Sequence, residues 1–275
     1  MEPNALYQAA LEELRKESSF DNMTSEAQRF DEAVGAIEFD PRFNSVNWMF
    51  DCFQLTREIV YSYCWMSAYA DAVSQLGGER DFYIQYYADN CITRINSFRD
   101  KAALLVWAYY CPFNPNIKGE VLGFEPVLER LQHPVRFGLA IKDQSAFVAQ
   151  LEKLQGSYFK QMTRYRHLKI HRIEPKILMR PPQPPDGLSY MVPLFKENEI
   201  TNFRKELREM YPDDDFRKGI EKGCYITGVL FHRIAVKDEF WHYAEVQEAV
   251  RKCTHACIDV ARTLSQTLRG LAPLV

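Results

Sequence analysis

Two long series of apolar residues at three- and four-residue steps, separated by a Gly-Gly pair, constrain this chain more than any other feature. Between Ser45 and Leu76 the positions Trp48, Phe53, Leu55, Ile59, Tyr63, Met66 and Ala70 recur with the period of a helix, and Gly77-Gly78 supplies its stop. Between Asp81 and Tyr110 a second series follows: Ile84, Ala88, Ile92, Ile95, Phe98, Ala102, Leu105 and Tyr109. Cys111-Pro112-Phe113-Asn114-Pro115 ends it, because proline lacks the amide that a continuing helix needs. A turn this short packs the pair as an antiparallel hairpin. The fold class that follows is mainly α, a helical bundle built on this hairpin.

The flanking segments fit that frame. A first helix is expected from about Asn4 to Lys16, with Asn4 as N-cap and Ala5, Leu6, Ala9, Ala10 and Leu14 on one side, before a polar stretch. A short helix is expected from Phe124 or Pro126 to Gln132, and a longer one from Asp143 to about Leu168, capped near Asp143 or Ser145. Ile173-Glu174-Pro175 breaks that pattern, and Arg180-Pro181-Pro182-Gln183-Pro184-Pro185-Asp186-Gly187 marks a Pro-rich loop inserted over 173–197. Asn198 to Met210 reads as another short helix, while periodicity leaves Cys224 to Val236 open between strand and helix. From Glu239 to Leu268, Tyr243, Val246, Val250, Cys253, Cys257, Val260, Leu264 and Leu268 form the stripe of a long C-terminal helix that either closes the bundle or serves as a dimer seam. The 275 residues are thus expected to make one mainly helical domain.

Composition narrows the function classes. At 47% hydrophobic and 13% aromatic the chain can bury a sizeable core, and its aromatic residues between Tyr61 and Tyr110 are expected to sit inside. A net charge of −3 supplies no global field for nucleic acid, so any such contact must be local. No run approaches the roughly 20 apolar residues of a spanning helix, and a cytoplasmic location is expected. Seven scattered cysteines in apolar helical pattern read as reduced, buried thiols. Cys253 and Cys257 share a helix face, but two thiolates alone make no structural zinc site and His255 points elsewhere, so neither metal nor cofactor is expected. His232-Arg233, Trp241-His242 and the segment from Arg130 to His133 form no triad or ligand pattern, and nucleotide-cofactor and hydrolase motifs are absent.

Chemistry is concentrated in one place. Arg164-Tyr165-Arg166-His167-Leu168-Lys169-Ile170-His171-Arg172 holds two of the six histidines and four basic residues. Imidazole exchanges a proton near neutral pH, and guanidinium presents a permanent planar fork to a phosphate. A helical hairpin followed by such a cluster resembles the HEPN superfamily, whose catalytic motif is an arginine separated by four to six residues from a histidine. Arg166 and His171 fit the four-residue spacing, and Arg164 and His171 fit the six-residue spacing. Arg94-Ile95-Asn96-Ser97-Phe98-Arg99-Asp100-Lys101 looks like the polar stripe, with a buried acidic residue, of an earlier helix in HEPN-like families. The resemblance covers about Asp81 to Pro175, within a core of about 45–175 plus the helix 239–269. It departs from the family pattern at His167, where many members carry another polar residue, and at the Pro-rich loop.

The resemblance implies metal-independent RNA cleavage or RNA binding. The 2′-hydroxyl must lose a proton to attack phosphorus, and the resulting oxyanion must be stabilised. Arg166, His171 and His167 are the catalytic candidates: His171 as acid or base, Arg166 on the scissile phosphate, His167 orienting it or moving a second proton. Arg164, Lys169, Arg172 and Arg94 are the substrate-binding candidates. On a straight helix Arg166 is rotated about 140° from His171, so the two converge only if the helix ends or bends near Ile170. The family's pairing of two sites across a two-fold axis implies a homodimer. The competing account is a non-catalytic helical protein whose basic cluster completes a helix C-terminus or binds nucleic acid or protein, with the Pro-rich loop or the last helix as further protein contacts.

Overall fold

A computed structural model describes residues 2–17, 20–34, 43–72, 78–111, 123–171, 176–178, 190–193, 205, 209, 231–234 and 240–271. In chain order these form α1 (Pro3–Glu17), α2 (Phe20–Val34), α3 (Phe43–Asp71), α4 (Gly78–Tyr110), α5 (Phe124–Gln132), α6 (Ser145–Glu152) and α7 (Ser157–His171). Four short strands follow, β1 (Lys176–Leu178), β2 (Tyr190–Pro193), β3 (Phe231–Ile234) and β4 (Phe240–His242), and α8 (Tyr243–Leu271) ends the chain's described part. The protein is mainly α, and the α3–α4 hairpin organises it. By backbone proximity it divides into two compact units, Met1–His167 with Tyr243–Val275, and Leu168–His242. The Pro-rich segment Arg180–Gly187 belongs to the second and lies outside the described residues.

In the first unit the apolar stripes fold as their spacing dictates. Ile84, Ala88, Ile92, Ile95, Phe98, Ala102 and Leu105 of α4 are buried, as are Ile59, Tyr63, Met66 and Ala70 of α3, and the two helices pack along their length. Trp48 stays half-buried, with Lys101 Nζ 4.0 Å over its ring. The hairpin is stapled by Arg80, which donates from Nε to Tyr69 O (3.1 Å) and from Nη2 to Ala70 O, carbonyls in the last turn of α3. Every apolar position expected on the last helix is buried, from Tyr243 to Leu268, against α2, α3, α4 and α6. That apolar face therefore closes the bundle, which leaves it unavailable as a dimer seam.

Local differences from expectation have local causes. The polar stretch after Lys16 contains α2, whose buried Met23, Glu26 and Phe30 form a stripe too narrow to stand out in sequence. Glu26 is paired with Arg269 of α8 and with Arg29 (3.3 Å), which satisfies a buried carboxylate. Helix α1 starts at Pro3, so Asn4 lies inside its first turn instead of capping it. Asp143 is left-handed (φ 60°) and Gln144 occupies the N-cap of α6 without a side-chain bond, so neither expected capping residue caps. The single helix expected to Leu168 is two: a 3-10 turn, Lys153–Gln155, and extended Gly156 separate α6 from α7. Within the second unit β1 pairs parallel with β4 and β2 antiparallel with β3. His232 and Arg233 are therefore in a strand, as is the described part, 231–234, of the ambiguous 224–236 segment; Lys205 and Glu209 alone are described in the expected 198–210 helix, both helical.

Candidate functional site

Helix α7 has two faces. Phe159, Met162 and Tyr165, at steps of three, are buried; Lys160, Arg164 and His167, at steps of four and three, are exposed. The inner face is locked to α4 by a polar seam. Tyr165 Oη donates to Asp89 Oδ1 (2.9 Å) and accepts from Gln85 Nε2 (2.6 Å). Thr163 Oγ1 donates to Asn96 Oδ1 (2.9 Å) and accepts from Arg99 Nη1 (2.8 Å). On α4 those partners, Gln85, Asp89, Asn96 and Arg99, recur at steps of four, seven and three, one side of a helix.

Arg99 is the centre of that seam. Its side chain is only 8% exposed, and it also donates to Leu154 O (3.0 Å) and to Glu125 Oε1 (2.8 Å) while its Cζ lies 4.3 Å from the Phe124 ring centroid. Asp100 Oδ1 accepts the amide of Phe124 (3.0 Å) and so supplies α5 with the cap that Gly123 lacks. The polar stripe expected over Arg94–Lys101 thus exists, but its buried members are Asn96 and Arg99; the acidic Asp100 is half-buried.

The sequence candidates separate accordingly. Arg164, His167 and Lys169 are exposed. Arg166 is half-buried and its Nε is enclosed without a hydrogen-bond partner among the described residues. The last described residue of α7 is His171, one past Ile170, so the backbone is helical through both Arg166 and His171; the side chain of His171, and Arg172 entirely, lie outside the described residues. Arg94 points away from the α7 seam: its Nε donates to Glu58 Oε2 (2.6 Å) and its Nη1 to Asn90 Oδ1 (3.2 Å). It is two residues from Asn96, about 200° round the helix. Glu58 is held below its usual carboxylate range by the Gln54 hydrogen bond and by Arg94, against the opposing effect of burial.

A second region carries functional groups that the sequence reading assigned to the core. Tyr61, Trp65 and Tyr69, at steps of four on α3, form an array with Tyr83, Tyr86 and Tyr87 of α4 and Tyr7 of α1. The rings of Tyr69 and Tyr83 stack at 4.5 Å, and Trp65 lies 4.9 Å from Tyr7 and 6.1 Å from Tyr87. Yet Tyr61 and Tyr86 are each 51% exposed and Phe82 64%. The available signal was angular: 61, 65 and 69 lie on a different stripe from the core positions 59, 63, 66 and 70. Beside this array is a cavity of ≈ 500 Å³ lined by Tyr7, Tyr61, Tyr86, Tyr87, Arg57 and Arg94, with further residues of α1 to α4.

Residues 42–235 match the Cthe2314-like HEPN family. The chain belongs to that HEPN family. The matched span of this HEPN protein is wider than the expected resemblance over Asp81–Pro175: it takes in α3, as the expected core from about residue 45 does, and continues past Pro175 to residue 235. Helices α1, α2 and α8 lie outside it. No curated protein and no solved structure matches this HEPN protein. Among its described residues no helix is long and apolar enough to cross a membrane, and no group of three or more His, Cys, Asp or Glu could hold a metal ion. Six of the seven cysteines are described and all six are free thiols; burial pushes Cys64 and Cys253 up to about 12.

Proposed function

We propose that this HEPN protein binds RNA through the outward basic stripe of α7 and cleaves it without a metal ion. The observation that supports this reading is the exposure of Lys160, Arg164 and His167 on one side of a helix inside the family span. Cations spaced along an exposed face neutralise backbone phosphates, and an imidazole beside them can take a proton from a 2′-hydroxyl or give one to the departing 5′-oxygen. By sequence spacing His171 continues the stripe one turn beyond His167. Arg164 then holds the phosphate, His167 and His171 move the protons, and half-buried Arg166 positions the helix or reaches phosphate through its terminal nitrogens. Lys169 and Arg172 extend the backbone contact. A homodimer that completes a second half-site would use a surface other than the apolar face of α8, which the bundle consumes.

A second reading, RNA binding without cleavage, is favoured by the continuation of α7 through His171, because Arg166 then stays on a different side of the helix. One experiment separates them. Wild type and the variants Arg164→Ala, Arg166→Ala, His167→Ala and His171→Ala are incubated with mixed RNAs in EDTA, and product ends are examined for 2′,3′-cyclic phosphate. Cleavage by wild type lost in a histidine variant that still binds RNA establishes the ribonuclease. Binding without products in any of the five establishes the second reading. Failure of wild type to bind RNA at all sinks both.

A further inference from the structure

We infer that the tyrosine-lined cavity of α1 to α4 is a binding site, separate from the basic stripe of α7, for a planar aromatic base that carries a phosphate. Three observations converge on that ligand. First, the cavity's ≈ 500 Å³ falls in the range that encloses a small molecule, about 300–1,000 Å³. Second, its walls offer ring surface that the protein does not use: Tyr61 from α3 and Tyr86 from α4 are each 51% exposed, although both belong to a ring array whose other members are half-buried. A base stacking on either ring would bury that surface, a contact open to every base because each has a π-face.

Third, the cavity holds more cation than anion. Arg57 and Arg94 line it with the single carboxylate Glu58. That carboxylate is already committed: Oε2 accepts from Arg94 Nε and Oε1 from Gln54 Nε2 (3.0 Å). Arg57 is exposed and makes no ion pair or hydrogen bond among the described residues, and Arg94 Nη2 donates to nothing there. A guanidinium with no partner among the described residues, beside open aromatic faces, selects an anion attached to a flat ring over a cation or a neutral apolar group. A nucleotide unit has both parts. It could arrive as a free nucleoside monophosphate or as one residue of a single strand, and the same contacts would serve either source.

The test is equilibrium binding to the full chain by titration calorimetry. The probes are the four ribonucleoside monophosphates, adenosine, inorganic phosphate and a mixed-sequence 2′-O-methyl hexanucleotide, which cannot be cleaved by its own 2′-oxygen. Each is taken to about 1 mM. Saturable binding of a monophosphate is expected, weakened about tenfold or more in Tyr61→Ala or Tyr86→Ala and retained in Tyr61→Phe. Arg57→Gln should weaken the monophosphate while leaving adenosine unchanged. Binding of the hexanucleotide alone with the same losses assigns the site to a strand residue instead of a free nucleotide. No saturable binding of either ligand, or binding unchanged in the folded variants Tyr61→Ala, Tyr86→Ala and Arg57→Gln alike, overturns the site. Because none of these probes can be cleaved, this outcome is independent of the ribonuclease assay on α7.

Discussion

Helix α4 carries two arginines five residues apart, and their surroundings are opposite. Arg99 faces α7 with its donors spent on Leu154 O, Thr163 and Glu125 and its face covered by Phe124. Arg94 faces the tyrosine cavity, paired with Glu58 and Asn90, next to Arg57, which has no partner among the described residues. The contrast separates two uses of a cation. Where burial is nearly complete, each donor must be satisfied from within the protein, and the residue then joins elements together. Where a cavity is left open and ring faces stand in solvent, unspent donors are available to something that is not part of the chain. Arg99 therefore belongs to the fold, and Arg57 with Arg94 to a site.

The strongest way to break this comparison is to remove each charge and measure stability. Arg99→Met keeps volume but deletes three hydrogen bonds and leaves Leu154 O and Thr163 short of a donor, so urea unfolding should show a loss of about 3 kcal/mol. Arg57→Gln touches no internal partner and should stay within about 0.5 kcal/mol of wild type. If the two variants unfold alike, Arg99 is not structural and the division between the two faces of α4 collapses.

This division was only half legible in the sequence. Helical period identified the buried stripes: the last helix follows its expected residues throughout, and α4 does so from Ile84 to Leu105. Period alone also separates Tyr61, Trp65 and Tyr69 from that stripe, but their hydrophobicity argued for the core, and only the packing of α1 and α4 around them leaves Tyr61 and Tyr86 half open. Helix α2 was hidden because its stability is tertiary: Phe30 packs edge-on to Phe50 (5.6 Å) and Glu26 meets Arg269 from the far end of the chain. On α7 the cluster was found, yet a linear motif does not tell inner from outer face; burial of Tyr165 turns Arg166 partly inward and leaves Arg164 and His167 outside. Arg94 and Arg99, five residues apart in one polar stretch, differ by rotation, and nothing linear records which neighbour each will meet.

Arg80, a third arginine of α4, tests an intermediate case. It is half-buried and donates to two end carbonyls of α3, Tyr69 O and Ala70 O, without a carboxylate partner among its hydrogen bonds. Those carbonyls can turn to water when it is gone, so Arg80→Ala should lower stability by about 1 kcal/mol, less than Arg99→Met and more than Arg57→Gln. Hydrogen exchange should speed up at the C-terminal turn of α3 before it does so in the middle of the hairpin. A loss as large as that of Arg99→Met would mean that the staple, not the seam with α7, holds the hairpin.

The smallest expected effect comes from a place where both characters meet. On α8, Arg251 pairs with Glu17 of α1 (2.6 Å) and with Glu248 (2.9 Å), and His255 Nε2 lies 3.2 Å from the same Glu17 carboxylate. Burial lowers the His255 pKa; Glu17 and Asp259 oppose this, and Arg251 and Lys252 add to it. A histidine more easily protonated in the unfolded chain than in the folded one makes the unfolded state take up the proton first. The stability tied to its neutral form is therefore whole above the ordinary value near 6.5 and drains away as pH falls through the lowered folded value. Wild type should lose more stability than His255→Gln between about pH 7 and about pH 5, with the curves parallel above that range. Parallel curves throughout would mean that Glu17 balances the burial completely, making His255 a matched group like Arg99; a steeper fall in wild type keeps it among the groups the fold leaves partly unsatisfied.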